Sequence, residues 1–162
     1  MNKLLKNMSI TAVLLAISLA AQLMRMPQLV TGTVVNTCFI ICILTAGLKW
    51  SLMLSLLTPL GGWIFGILPP PLFPMIPLIV VGNFFYCWIF KMLINKKFLI
   101  KIIVPALAKT LAIGIPGYFT IKYIIPGTVL DKIFIVFASS QLPTAILGLI
   151  LALIVNSRLT RK

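Results

Sequence analysis

The sequence predicts an all-α, polytopic membrane protein with about six transmembrane helices, forming a single transmembrane domain over residues 1–162. The chain is 61% hydrophobic and only 9% charged, whereas a soluble domain is about half apolar and about a quarter charged. Its mean hydropathy is +1.19. A soluble core of this size could not bury so much apolar surface, so a bilayer is the expected solvent.

Six largely apolar segments predict the helices, since a transmembrane helix needs about 20 such residues. The first follows the basic "MNKLLKN", the second is short, and the third carries Pro59 and Gly61, so we expect irregular backbone in the second and third. The fourth follows "LPPPLFPMIP", the fifth follows "INKKFLIK" and the sixth follows "FTIKYIIPGTVLD". The segments lie near residues 8–24, 33–47, 50–67, 76–94, 99–118 and 132–155.

The basic residues predict the orientation in the membrane. With six helices, both termini lie on one side, and three basic residues fall on the other side: Arg25, Lys122 and Lys132. Lys109 lies within the fifth segment. The remaining ten fall on the side of the termini: Lys3, Lys6, Lys49, Lys91, Lys96, Lys97, Lys101, Arg158, Arg161 and Lys162. The positive-inside rule then places both termini in the cytoplasm.

A cleavable signal peptide is the alternative for the first segment, because "SLAAQ" follows an apolar run and resembles a cleavage site. Cleavage would leave five helices and move the basic C-terminal tail outside. The charge bias holds only if the helix is retained, so we expect it to stay in the membrane.

The composition argues against several classes of function. The chain has no His, and its one acidic residue is Asp131, in a predicted loop. Proton-coupled transporters and charged-ring channels usually need ionisable groups within their helices. Ser139 and Ser140 have no base nearby in sequence, and no Walker motif is present. We therefore expect no enzyme activity and no cofactor bound by this chain.

Three cysteines lie inside apolar segments, and two of them, Cys38 and Cys42, are one helical turn apart. That spacing could suit a metal ion, but no other ligand type lies near them. We expect buried, small hydrophobic side chains and no metal site.

A sparse polar set toward the predicted outer side is the candidate binding site, because ligand sites are mostly apolar with a few converging polar groups. Alternatives remain: Asn83 could bond a neighbouring helix, and Lys109 could snorkel or cap carbonyls. Trp63 and Arg25 could anchor the interface. Without intramembrane acids, a neutral or anionic ligand is expected. The set is Arg25, Gln28, Thr31, Asn36, Trp63, Asn83, Lys109, Ser139 and Gln141.

In "SITAVLLAISLAAQLMRMP", the residues Ala12, Ala16 and Ala20 recur every four positions. Such residues fall along one face of a helix and form a shallow groove. Small residues at this spacing promote close helix association in lipid. The stripe therefore indicates a docking face, although alanine is common enough to produce the pattern by chance.

The chain resembles the S components of energy-coupling factor (ECF) vitamin transporters. The resemblance rests on the alanine stripe, the chain length, the topology, and the run "PQLVTGTVVNTCFIICILTAGLKWSLMLSLLTPL" followed by "GILPPPLFPMIPLIVVGN". The resemblance implies a bacterial plasma-membrane subunit that captures a vitamin or related micronutrient at the outer face. It implies docking through Ala12, Ala16 and Ala20 onto a coupling subunit, with two cytoplasmic ATPases supplying the energy from ATP.

The resemblance also implies that the first outer loop, residues 25–33, acts as a lid, and that Asn83, Lys109, Ser139 and Gln141 line the ligand site. Two alternatives stay open. The chain could be a self-sufficient small membrane transporter or channel, or it could be a membrane scaffold or assembly subunit.

Overall fold

A computed structural model describes residues 2–67, 70–123 and 128–159 of the chain. In these residues all regular structure is helical, which confirms the all-α prediction with six α-helices. The side chain of Asp131, residue 1 and residues 160–162 lie outside the description. The helices are α1 (Lys3–Leu23), α2 (Gln28–Thr45), α3 (Leu48–Ile64), α4 (Ile76–Leu93), α5 (Phe98–Tyr123) and α6 (Thr128–Leu159), with a 3₁₀ helix, Pro70–Met75, before α4.

Five helical stretches are long and apolar enough to cross a membrane. They correspond to α1, α2, α4, α5 and α6, whereas α3 has only 17 residues, the lower end of the ~17–25 residues that can span a bilayer. Large apolar side chains such as Val13, Leu111 and Ile115 are more than half exposed on the outer faces. The chain is therefore a membrane protein whose outer surface suits hydrocarbon.

Helices extend further toward the predicted outer side than the apolar segments indicated. α2 begins at Gln28 rather than near residue 33, α5 continues to Tyr123, and α6 begins at Thr128. The prediction of a loop over residues 25–33 is wrong from residue 28 onward, because Pro27 is the N-cap of α2 and the chain is helical from Gln28. Apolar runs locate the middle of each helix, whereas backbone hydrogen bonding continues through the mixed polar and apolar residues at the helix ends.

Two glycines allow tight connections. Gly47 has φ 101° between α2 and α3, and Gly66 has φ 66° after α3. Residues with a Cβ rarely adopt either conformation. The amide of Gly66 donates to the Trp63 carbonyl at 2.9 Å, and that of Ile67 donates to the Gly62 carbonyl at 2.9 Å, which completes the end of α3.

The six helices contact one another in a ring of order α1–α2–α6–α5–α4–α3, and α2 also contacts α3 and α4 across the middle. Short connections make successive helices antiparallel, so the ring has a terminal end, where α1 begins and α6 ends, and an opposite end. The terminal half is filled by a continuous apolar cluster that includes Phe39, Tyr86, Phe90 and Leu149, all fully buried. The opposite half surrounds a cavity.

Glycines let α2 and α6 approach closely beside this cavity. A Cβ built on Gly148 would lie 2.5 Å from the Cβ of Asn36 and 3.1 Å from its backbone carbon. A Cβ on Gly32 would lie 2.9 Å from Cγ2 of Thr144. The distances of 2.5 and 2.9 Å are shorter than carbon contacts allow, so the crossing depends on the missing side chains and places Asn36 against Thr144.

Replacing Gly148 with alanine should therefore push α2 away from α6. We expect Gly148→Ala to destabilise the fold by about 1–3 kcal/mol, the usual range for overpacking, measured as the free energy of unfolding in mixed micelles. Gly114→Ala is the matched control, because a Cβ on Gly114 would meet no atom within 4 Å. Equal effects of the two substitutions would contradict the close crossing.

Candidate functional site

A cavity of about 320 Å³ occupies the half of the ring opposite the termini. All six helices contribute to its wall. Among the described lining residues, Lys109 is the only charged one. The polar lining residues are Gln22, Gln28, Thr31, Asn36, Thr58, Asn83, Lys109, Gln141 and Thr144. The volume lies at the lower end of the ~300–1,000 Å³ range of small-molecule sites.

Three side chains from three helices form the floor. Lys109 of α5 donates from Nζ to Oδ1 of Asn36 on α2 at 2.5 Å. Asn36 in turn donates from Nδ2 to the hydroxyl of Thr144 on α6 at 3.3 Å. That hydroxyl donates to the Ser140 carbonyl at 2.8 Å. The chain of hydrogen bonds connects α5, α2 and α6 where the cavity meets the apolar core.

Aromatic rings complete the surroundings of Lys109, which is 4% exposed. Its Nζ lies 5.2 Å from the ring centroid of Tyr86 and 5.8 Å from that of Phe39. The Tyr86 hydroxyl donates to the Ala145 carbonyl at 2.8 Å, which holds the ring in place. Because the amino group lies inside the ring of helices, its position differs from that of a lysine snorkelling to the membrane surface.

Asn83 is positioned by a proline. Pro59 lies inside α3 and has no N–H, so it cannot bond the carbonyl of Ser55 four residues earlier. The side chain of Asn83, on α4, donates from Nδ2 to that carbonyl at 3.5 Å. Because a carbonyl only accepts, the NH₂ group must face Ser55. The Oδ1 atom of Asn83 is buried and has no hydrogen-bond partner among the described residues.

Threonine hydroxyls in the wall are already used as donors. Thr58 donates to the Leu54 carbonyl at 2.7 Å, and Thr31 donates to the Met26 carbonyl at 3.2 Å. A hydroxyl has one proton and two lone pairs. In this arrangement the two hydroxyls can only accept hydrogen bonds from a molecule in the cavity.

Six of the nine predicted binding residues line this cavity: Gln28, Thr31, Asn36, Asn83, Lys109 and Gln141. Gln28 is exposed, at the mouth, whereas the others are partly or fully buried. Helical spacing brings together polar groups that are more than a hundred residues apart in sequence. Whether these residues bind a ligand remains a prediction.

The other three predicted residues do not line it. Arg25 is exposed after the end of α1. Trp63 is 44% exposed and packs its ring against Phe73, with 5.1 Å between centroids. Ser139 is exposed and donates to the Val136 carbonyl at 3.0 Å. Trp63 and Ser139 occupy exposed faces of α3 and α6, whereas Arg25 lies in the turn between α1 and α2.

Sequence reasoning missed three polar lining residues, Gln22, Thr58 and Thr144. Thr144 lies one helical turn after Gln141, so helical periodicity could have identified it. Gln22 and Thr58 had no such signal, because the packing of α1 on α3 decides that they face inward. The Gln22 side chain comes so close to Gly62 that a Cβ there would lie 2.5 Å from its Oε1.

The three cysteines are buried and free. The thiol of Cys42 lies 3.7 Å from the Thr11 hydroxyl, and that of Cys87 lies 3.3 Å from the Ser51 hydroxyl. Within the described residues, no group of three or more His, Cys, Asp or Glu could hold a metal ion.

Comparison of the chain with protein-family models, with curated proteins and with solved structures gives no match.

The bond between Lys109 and Asn36 should be visible as an energetic coupling. We expect Lys109→Met and Asn36→Leu each to lower the free energy of unfolding by about 1.5–3 kcal/mol, the range for hydrogen bonds to charged groups. The free energy of unfolding of the double variant should fall by less than the sum of the two single losses. Each single change leaves a buried partner without its hydrogen bond, whereas the double change removes both partners.

Unfolding in mixed micelles measures all three variants. Lys101→Met is the control, because Lys101 lies on the same helix outside the cavity, over the exposed ring of Phe98. Strictly additive losses for Lys109→Met and Asn36→Leu would contradict the coupling.

Proposed function

We propose that this chain is the substrate-binding subunit of an ECF-type ABC importer, capturing a vitamin or related micronutrient for ATP-driven uptake. The observation that carries this proposal is the cavity of about 320 Å³, whose polar groups converge from all six helices. A packed ring of helices around a polar cavity of this size suits the binding of one small molecule.

The packed terminal half of the helix ring favours the capture of a ligand over conduction through a channel. A channel needs a continuous path, whereas the terminal half of the ring is filled by Phe39, Tyr86, Phe90 and their neighbours. A molecule in the cavity reaches the floor at Lys109 and meets this core. Release on the other side then needs a movement of the whole subunit, which fits a protein driven by partners.

The cavity's charge supports a neutral or anionic ligand. Its described lining contains one cationic side chain, Lys109, and no acidic one. A cationic molecule would face Lys109 without a compensating carboxylate. Under this proposal the chain binds its ligand without chemical change, and the partner subunits use the ATP.

The alanine stripe lies where a partner could reach it. Ala12, Ala16 and Ala20 are exposed on the outer face of α1, whereas Leu14 and Ser18, on the opposite face, are buried against the other helices. A groove of small residues that no described helix covers supports docking of the coupling subunit here.

The proposal places the chain in a bacterial plasma membrane with both termini in the cytoplasm. The ten basic residues on the terminal side against three on the other support this orientation. The cavity then opens toward the outside, where a nutrient would be captured.

Affinity purification of the full chain from its native membrane tests the proposal without knowledge of the ligand. We expect the chain to bring down one membrane coupling subunit and two ATPases. Ala12→Trp with Ala16→Trp should abolish this association, because the bulky rings fill the groove. Leu111→Trp is the control, since Leu111 is exposed on α5, which lies opposite α1 in the ring.

Purification of the wild-type chain without ATPases would contradict the proposal and favour a self-sufficient transporter or a scaffold subunit. Retention of the partners by the double tryptophan variant would show that docking occurs elsewhere.

A further inference from the structure

We propose that the cavity recognises an amide-type group, a carboxamide, lactam or ureide, whose carbonyl oxygen accepts from Lys109 and whose N–H donates to Asn83. This inference rests on the capture function proposed above and names the chemical class of its ligand. It starts from two polar residues that line one cavity, Asn83 and Lys109, each with hydrogen-bonding capacity that the described residues leave unused.

The first group is the side-chain oxygen of Asn83. The residue is 3% exposed, and its NH₂ group donates one N–H to the Ser55 carbonyl that Pro59 cannot bond. Its Oδ1 atom is buried and left without a partner among the described residues, and Asn83 is one of the residues that line the cavity. Buried polar atoms are normally hydrogen-bonded. The missing partner must be a donor, because a carboxamide oxygen only accepts.

The second group is the amino group of Lys109. A lysine carries three N–H donors and no acceptor when charged. One N–H bonds Asn36 at 2.5 Å, which leaves donors for a molecule in the cavity. The ligand atom that meets Lys109 must therefore be an acceptor, such as a carbonyl or carboxylate oxygen.

Thr58 is a second hydrogen-bond acceptor in the cavity wall near Asn83. Its hydroxyl proton is held by the Leu54 carbonyl at 2.7 Å, so toward the cavity it presents lone pairs. Thr58 lies on α3 one turn after Ser55, the residue whose carbonyl holds Asn83. The wall between α3 and α4 thus offers acceptors, and the floor at Lys109 offers a donor.

An amide-type group meets both demands with its C=O and N–H. A simple carboxylate would satisfy Lys109 but leave Asn83 unpaired, and a hydrocarbon would satisfy neither. A cavity of about 320 Å³ is small enough for one compact molecule to reach both groups. Sites built around buried hydrogen-bonding groups discriminate strongly against analogues that lack the matching donor.

Three matched probes test this recognition on the purified full chain: butyrolactam, with C=O and N–H; N-methylbutyrolactam, with C=O alone; and cyclopentanone, which has the same ring size without nitrogen. Saturation-transfer NMR titration at millimolar concentrations measures each dissociation constant. We expect butyrolactam to bind about tenfold more tightly than the other two, since one buried acceptor becomes satisfied.

Variants separate the two contacts. Asn83→Leu should remove the preference for butyrolactam over its N-methyl derivative, and Lys109→Met should weaken both. Asn7→Leu is the matched control, because Asn7 also donates from Nδ2 to a backbone carbonyl, that of Ala46 at 3.2 Å, but lies outside the cavity. It should leave all three dissociation constants unchanged.

Equal affinity of the wild-type chain for the two lactams, or no detectable binding of butyrolactam, would overturn the assignment of an amide-type ligand. The capture function is judged separately, by the association with a coupling subunit and ATPases, which needs no ligand. A chain that brings down these partners but ignores butyrolactam would retain the function and lose this ligand class.

Discussion

The burial of Lys109 is the constraint on which the rest of the structure depends. A lysine near the middle of a membrane-spanning helix must find polar partners, because lipid offers none. With one acidic residue in the whole chain, the partners are neutral: the amide of Asn36 and, through it, the hydroxyl of Thr144. These lie on α2 and α6, so the position of one amino group requires three helices to meet.

The close crossing of α2 and α6 makes that meeting possible. Gly32 and Gly148 remove the side chains that would separate Asn36 from Thr144. On the terminal side of this crossing, Phe39 and Tyr86 belong to the apolar cluster, and their rings contact the amino group of Lys109. On the other side the helices surround a cavity. The helix packing and the position of the cavity therefore both follow from the meeting of α2, α5 and α6 at Lys109. The proposed capture of a ligand uses the N–H donors of Lys109 that Asn36 does not occupy.

Hydropathy predicted six helices well because hydrocarbon thickness sets a strong pattern of apolar residues. It placed helix ends poorly, since α2 begins at Gln28, in a stretch where polar residues and glycine alternate with Leu29 and Val30 and weaken the local apolar pattern. Lys109 and Asn83 were identifiable as polar residues inside apolar segments. Pro59 leaves the Ser55 carbonyl free to accept from Asn83. This contact depends on the packing of α3 against α4, so the order of residues in the sequence could not predict it. The packing of the helices also decides that Trp63 and Ser139 face away from the cavity, and Arg25 lies outside it because it is in the turn after α1.

Native mass spectrometry of the gently purified chain tests most directly whether the cavity holds a small molecule through Lys109. We expect the wild-type chain to carry one bound molecule of small mass, and Lys109→Met to lose it while Lys101→Met retains it. A wild-type chain that carries no molecule, or a bound mass that Lys109→Met keeps, would contradict the proposal that this cavity is a capture site.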